Sequence, residues 1–135
     1  MGTTILRRIA AAVIERIDGK VLLLKRSATR TTNPGKWCVV TGYVEANEHP
    51  RQAAIRELFE ELNIKAKPVL GGQIVIVETP GGDTLHVYPF LFQVGFVDVV
   101  LDQEHEDYAW IDPGEVYKYD TVQQLADDLK SVGVL

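Results

Sequence analysis

Apolar residues in this chain fall into short runs with two different periods. Residues 9–17 and 21–24 alternate or run apolar on either side of Asp18-Gly19, a favoured hairpin pair, which predicts a β-hairpin. The polar stretch 27–36 contains the turn signal Asn33-Pro34-Gly35, and residues 37–41 behind it read as a short strand. From 50 to 62 the period lengthens. This segment lacks glycine, carries Pro50 where a first helical turn tolerates it, and sets Ala54, Ile55, Leu58, Phe59 and Leu62 on one side, the pattern of an amphipathic helix. Residues 69–78 and 84–97 are rich in β-branched and aromatic side chains and flank Thr79-Pro80-Gly81-Gly82-Asp83, so two long strands joined by a turn are expected. A short strand over 108–111 and a terminal helix marked by Val122, Leu125, Ala126 and Leu129 complete the pattern. Strands, helix, strands and helix in that order predict an α+β domain, a mixed sheet with helices packed on its faces.

With 135 residues, 46% of them hydrophobic, the chain is expected to form one domain over residues 1–135 with a single buried core. The formal net charge of −5 provides no sequence-wide basic field for a polynucleotide backbone. The apolar run 9–14 ends at Glu15 and Arg16, too short for a signal-peptide core or a membrane span, so no membrane association is expected. Cys38 is the lone cysteine, which excludes an internal disulfide and fits a reducing compartment, with cytoplasm as the expected location.

The predicted helix concentrates the chemistry. Glu57, Glu60 and Glu61 stand at i, i+3 and i+4 and so share a helical face, expected to lie away from Ile55, Leu58 and Leu62 and to open to solvent. Three like charges within one turn repel unless a cation compensates them. Magnesium suits such a cluster, because it takes a few carboxylates together with waters and substrate phosphates. Arg56 lies four residues before Glu60 and can also pair with Glu48, steadying the loop ahead of the helix.

Gly42, Glu48, Arg56, Glu57, Leu58, Glu60, Glu61 and Ile64 fall on one pattern. It is glycine, five residues, glutamate, seven residues, Arg-Glu, an aliphatic residue, any residue, Glu-Glu, any residue, glycine and an aliphatic residue. In this the chain resembles the Nudix hydrolase family. It departs at one position, where Asn63 replaces the glycine after the helix; asparagine also adopts the left-handed conformation that a helix end requires, so the turn is expected to survive.

The resemblance implies an α/β/α sandwich with a mixed sheet, a catalytic helix after the motif loop and a C-terminal helix. It implies Mg2+, with Mn2+ as the alternative, held by Glu57, Glu60, Glu61 and a loop glutamate. Glu104 is the first choice for that loop residue and Glu106 the second. The catalytic set is then Arg56, Glu60, Glu61 and Glu104, with Gly42, Glu48 and Asn63 shaping the motif. The implied reaction is metal-dependent hydrolysis of a phosphoanhydride bond in a nucleoside diphosphate linked to a further group. Thr41-Gly42 and the 104–110 loop look similar to relatives acting on dihydroneopterin triphosphate and deoxynucleoside triphosphates, which points to a small triphosphate giving a monophosphate and pyrophosphate. Relatives also suggest a homodimer.

Other residues carry weaker signals. Arg26, Lys36 and Tyr88 are candidate contacts for substrate phosphates or a base, with packing or solvated surface as the competing reading. His49, His86 and His105 show no metal-ligand spacing and read as structural or solvated. Gly71-Gly72 and Gly81-Gly82 lack the Lys-Ser or Lys-Thr of a phosphate loop and read as turns; Cys38 reads as core. The alternatives to the triphosphatase are a nucleotide-sugar or dinucleoside polyphosphate hydrolase and a non-catalytic nucleotide-binding module of the same fold, which would not need the full glutamate set. An isoprenoid diphosphate isomerase is disfavoured because no reactive motif surrounds Cys38.

Overall fold

A computed structural model describes residues 5–135. The chain forms β1 (Leu6–Arg16), β2 (Val21–Arg26), β3 (Trp37–Cys38), β4 (Val40–Tyr43) and α1 (Pro50–Leu62). These are followed by β5 (Leu70–Gly71), β6 (Val75–Glu78), β7 (Thr84–Val94), β8 (His105–Ile111), a 3-10 turn (Pro113–Lys118) and α2 (Leu125–Ser131). The arrangement is the expected α/β/α sandwich around a mixed sheet.

β1 organises the sheet. It pairs antiparallel with β2 across the Asp18-Gly19 turn, antiparallel with β4, and parallel with β7 along its whole length, from Leu6 opposite Thr84 to Arg16 opposite Val94. Its centre, Ala10 to Ile14, is buried on both faces, as expected of an unbroken apolar run covered on both sides. α1 packs on β1 and β4, while α2 packs against β7, β1 and β6. Phe92, Ile14, Leu22 to Leu24, Leu58, Leu62, Leu125 and Leu129 fill the core.

The expected strand 37–41 divides at Val39: Trp37 and Cys38 pair with β2, whereas β4 crosses to β1. That crossing delivers Gly42 and Tyr43 to the start of the motif loop. The expected strand 69–78 is also broken, because its register against β7 slips by one residue between β5 and β6. A side chain at Gly72 would overlap Ser131, whose hydroxyl donates to the Gln73 carbonyl at 2.6 Å, while the Gly72 amide still bonds the Pro89 carbonyl of β7 at 2.9 Å. β7 stops at Val94, short of the expected residue 97. β8 starts at His105, earlier than the expected residue 108, and α2 starts at Leu125, because the Val122 amide bonds the Trp37 carbonyl instead of opening the helix.

Candidate active site

The motif loop is folded by local hydrogen bonds and then fastened to α1 by one arginine. Asn47 takes a left-handed φ of 65°, and Glu48 closes the turn in both directions: its amide donates to the Glu45 carbonyl at 3.1 Å, and its Oε1 accepts from the Glu45 amide at 3.0 Å. Arg56 grips the same carboxylate at two points, Nε to Oε2 at 2.9 Å and Nη2 to Oε1 at 3.0 Å. It also donates to the Tyr43 carbonyl at 3.1 Å, to Glu57 Oε1 at 2.7 Å and to Glu60 Oε2 at 3.3 Å. β4, the loop and the helix therefore converge on a single guanidinium. The hydrogen bonds from Arg56, and then the backbone bond from Glu45, hold the Glu48 carboxyl down to about 2. The same Glu48 contact raises the proton affinity of Arg56.

Gly42 gives Glu57 its place. A Cβ at residue 42 would overlap the Glu57 carboxylate, so the side chain at this point of β4 must be absent for Glu57 to lie against the strand. At the other end of α1, Asn63 takes a left-handed φ of 57° and its amide bonds the Phe59 carbonyl at 2.8 Å, the helix stop expected of it.

The three helical carboxylates do not open to solvent alike, contrary to the sequence expectation. Glu60 is 56% exposed, but Glu61 is 6% exposed, and its Oε2 has no hydrogen-bond partner among the described residues. The helical wheel contains the reason: at about 100° per residue, Glu61 lies only about 20° from Ala54 and about 60° from Leu58, inside the arc that the buried Ala53, Ala54, Leu58 and Leu62 span. Burial first, then the neighbouring Glu57, pushes the Glu61 carboxyl up to about 10. Burial also raises Glu57, against the opposing pull of Arg56. Two carboxylates that resist carrying two negative charges side by side, one with an orphaned buried oxygen, form a donor set that fits a divalent cation.

Residues 102–105 cover this pair. Asp102 Oδ1 accepts from the Glu104 amide at 3.1 Å and bonds His105 Nδ1 at 2.8 Å. The buried His105 ring points Nε2 toward Glu61 Oε1 at 3.7 Å and the Cys38 sulfur at 3.9 Å. One ligand atom from each of Glu61, Asp102 and His105 lies within 4.8 Å of the others, a group that could hold a metal ion. Burial pushes the Cys38 thiol up to about 12, so it stays protonated and inert. Glu104 is 54% exposed, with Oε2 3.1 Å from Arg30 Nη1, and its carbonyl accepts from the Ser27 amide at 2.9 Å. The charges of Asp102 and Glu104 both add to the raised proton affinity of Glu61. Glu106 follows on β8 as an exposed residue.

The structure thus gathers Gly42, Glu48, Arg56, Glu57, Glu60, Glu61 and Glu104 around one locus. The three weaker candidates have other surroundings. Arg26 is buried, with its guanidinium bonded to the Thr32 carbonyl and hydroxyl at 3.0 and 2.9 Å. Lys36 pairs with Asp120 at 2.9 Å, and Tyr88 lines a groove with Phe90 and residues 49–52 at the start of α1. Sequence reasoning missed Asp102, His105 and Arg30. The Asp102 to His105 spacing was visible, but nothing local connects either residue to Glu61.

Residues 6–130 match the NUDIX domain. The chain is 35% identical over 112 residues to the CTP pyrophosphohydrolase of Escherichia coli strain K12, covering 82% of this chain and 79% of that protein. It is 29% identical to the nucleoside triphosphatase NudI of Escherichia coli O81, over 96% and 98% of the two chains. The crystal structure of the MutT protein from Methanosarcina mazei Go1 superposes with a TM-score of 0.81 at 26% identity, covering 96% of this chain and 94% of that one. The chain belongs to the Nudix hydrolase family. Among the described residues, no helix is long and apolar enough to cross a membrane.

Proposed function

We propose that this chain hydrolyses small nucleoside triphosphates, cutting at the inner phosphorus to release a nucleoside monophosphate and pyrophosphate. The observation that carries the reading is Glu61, a buried carboxylate with an orphaned oxygen beside Glu57 and beneath a loop that presents Glu104. In this reading Glu57, Glu60, Glu61 and Glu104 hold Mg2+, or Mn2+ in its place. When bound, the ion neutralises phosphate oxygens and makes a coordinated water more acidic near neutral pH.

The remaining work falls to the chain itself. Arg56, fixed by Glu48 and Tyr43, keeps Glu57 and Glu60 at their posts. Glu60 is exposed and takes up the proton of the attacking water. Oxygen from water bonds to the inner phosphorus, the bond from that phosphorus to its bridging oxygen breaks, and the electron pair leaves with pyrophosphate. Arg30, whose Nη1 lies 3.1 Å from Glu104 Oε2, brings positive charge beside that loop glutamate and supplies it to the outer phosphates. The acidic balance and the relatives named for CTP and nucleoside triphosphates favour small nucleotides over polynucleotides.

A screen with Mg2+ tests this reading across nucleoside triphosphates, dihydroneopterin triphosphate, dinucleoside polyphosphates and nucleotide sugars. Phosphate should appear from a nucleoside triphosphate only after inorganic pyrophosphatase is added. Direct release of orthophosphate would place the attack at the terminal phosphorus. A specificity constant tenfold higher for a nucleotide sugar or dinucleoside polyphosphate, about 1.4 kcal/mol in transition-state stabilisation, would overturn the triphosphate assignment.

A further inference from the structure

His105 lies outside the family signature, yet its ring is set up as a ligand. A carboxylate only accepts hydrogen bonds, so in the neutral imidazole the 2.8 Å contact with Asp102 Oδ1 places the proton on Nδ1 and leaves the lone pair on Nε2. That lone pair faces the interior. Its neighbours are the Cys38 thiol, a weak donor at 3.9 Å, and Glu61 Oε1, an acceptor at 3.7 Å and beyond hydrogen-bonding reach. Ligand bonds of about 2.0–2.2 Å put neighbouring donor atoms of one ion roughly 3.0–3.6 Å apart, so the Nε2 to Oε1 gap is close to the width of a shared cation. Glu61 Oε2, buried and without a partner among the described residues, is the second sign of a missing positive group. A carboxylate that orients an imidazole whose far nitrogen meets a metal is a recurrent arrangement, and the outer partner fixes the ring.

We propose that His105 Nε2 is a direct ligand, together with Glu61, of a divalent cation in this site, with Asp102 as its positioning residue. This rests on the reading that the carboxylate cluster binds a divalent cation. A nitrogen donor in an otherwise all-oxygen site shifts its preference from Mg2+ toward first-row transition ions, least for the hard Mn2+ and more for the borderline Co2+ and Zn2+. The ions that the chain retains most tightly then differ from those of an all-carboxylate site.

Mn2+ bound to the full chain provides the test through electron spin-echo modulation, which reports a directly bonded nitrogen. The chain has three histidines, so the decisive sample is the His49→Gln, His86→Gln double variant with 15N in histidine only. It leaves the buried ring untouched, and His105 is then the only labelled residue. The modulation should persist and change from the 14N to the 15N pattern. Asp102→Ala should weaken Mn2+ binding by about tenfold in calorimetry, with a smaller effect on Mg2+. Bound Mn2+ with an oxygen-only signature would overturn the histidine ligand while leaving the carboxylate site intact. No bound Mn2+ at all would overturn the metal reading and this proposal with it.

Discussion

Arg56 and Glu48 meet as a two-point ion pair, with Nε 2.9 Å from Oε2 and Nη2 3.0 Å from Oε1, and the same guanidinium reaches Glu57 at 2.7 Å. A planar fork is the group that can grip a carboxylate twice and still contact three further partners, here the Tyr43 carbonyl, Glu57 and Glu60; lysine cannot. Arg56→Lys should therefore fold but loosen both Glu48 and Glu57, lowering the maximal rate by at least about tenfold and the melting temperature as well, since the two-point grip on Glu48 is lost. Steady-state kinetics beside a thermal melt checks this. Wild-type turnover would show that the fork is dispensable.

The pair also has a pH signature. Glu48 is held at about 2 in the folded protein, against 4.5 ordinarily, so its contribution to stability is complete above 4.5 and is lost as pH falls toward 2. Glu48→Gln should be less stable than the parent at pH 7, and the gap should close between pH 4.5 and 2. Denaturant melts of both proteins across that range measure it. A gap independent of pH would mean that the ion pair contributes nothing.

Gly42→Ala places a methyl group where the Glu57 carboxylate lies. The helix is long and well packed, so the carboxylate should yield rather than the fold. Activity and Mn2+ affinity are expected to drop together while circular dichroism stays unchanged. Full activity in this variant would contradict the placement of Glu57.

Glu104 and Glu106 separate the two faces of the loop. Glu104→Gln should lower the maximal rate more than it raises the Michaelis constant, whereas Glu106→Gln should be silent. Arg30→Ala should act mainly on the Michaelis constant, through lost phosphate attraction. Damage from Glu106→Gln with a silent Glu104→Gln would reverse the choice between them.

Asp128 is unrelated to the site. It is 1% exposed on α2, both carboxylate oxygens lack partners among the described residues, and burial pushes it up to about 8. A folded-state value above the ordinary 3.8 means that stability falls as pH rises from about 4 to 8, by at most about 1.4 kcal/mol per pH unit. Asp128→Asn removes that slope and should melt higher than the parent at pH 8 to 9. Equal melting temperatures there would show that the carboxylate finds a partner in solution.

The helix and its motif were legible because their signals are local. Pro50 starts α1, Asn63 stops it at a left-handed φ, and the glutamate spacing survives folding unchanged. Burial of Glu61 was legible only in part: the wheel sets it among Ala54 and Leu58, but Asp102 and His105, which complete its surroundings, arrive from a distant loop. The same holds for the broken strand at residues 72–74. Its β-branched pattern is genuine, but the register against β7 slips by one residue past Gly71, opposite Pro89, which has no amide to donate. Periodicity reports what a segment prefers, and only packing reports what presses on it.

The most direct test is Glu61→Gln, assayed for nucleoside triphosphate hydrolysis at saturating Mg2+ and melted with and without the ion. Because burial holds the Glu61 carboxyl near 10, charging it destabilises the fold as pH rises above 4.5. The glutamine protein should therefore be at least as stable as the parent at pH 8 without metal, and it should lose most of the Mg2+-induced rise in melting temperature. Turnover should fall by at least about a hundredfold. A folded Glu61→Gln protein that retains wild-type turnover and its full Mg2+ stabilisation would contradict the account at its centre.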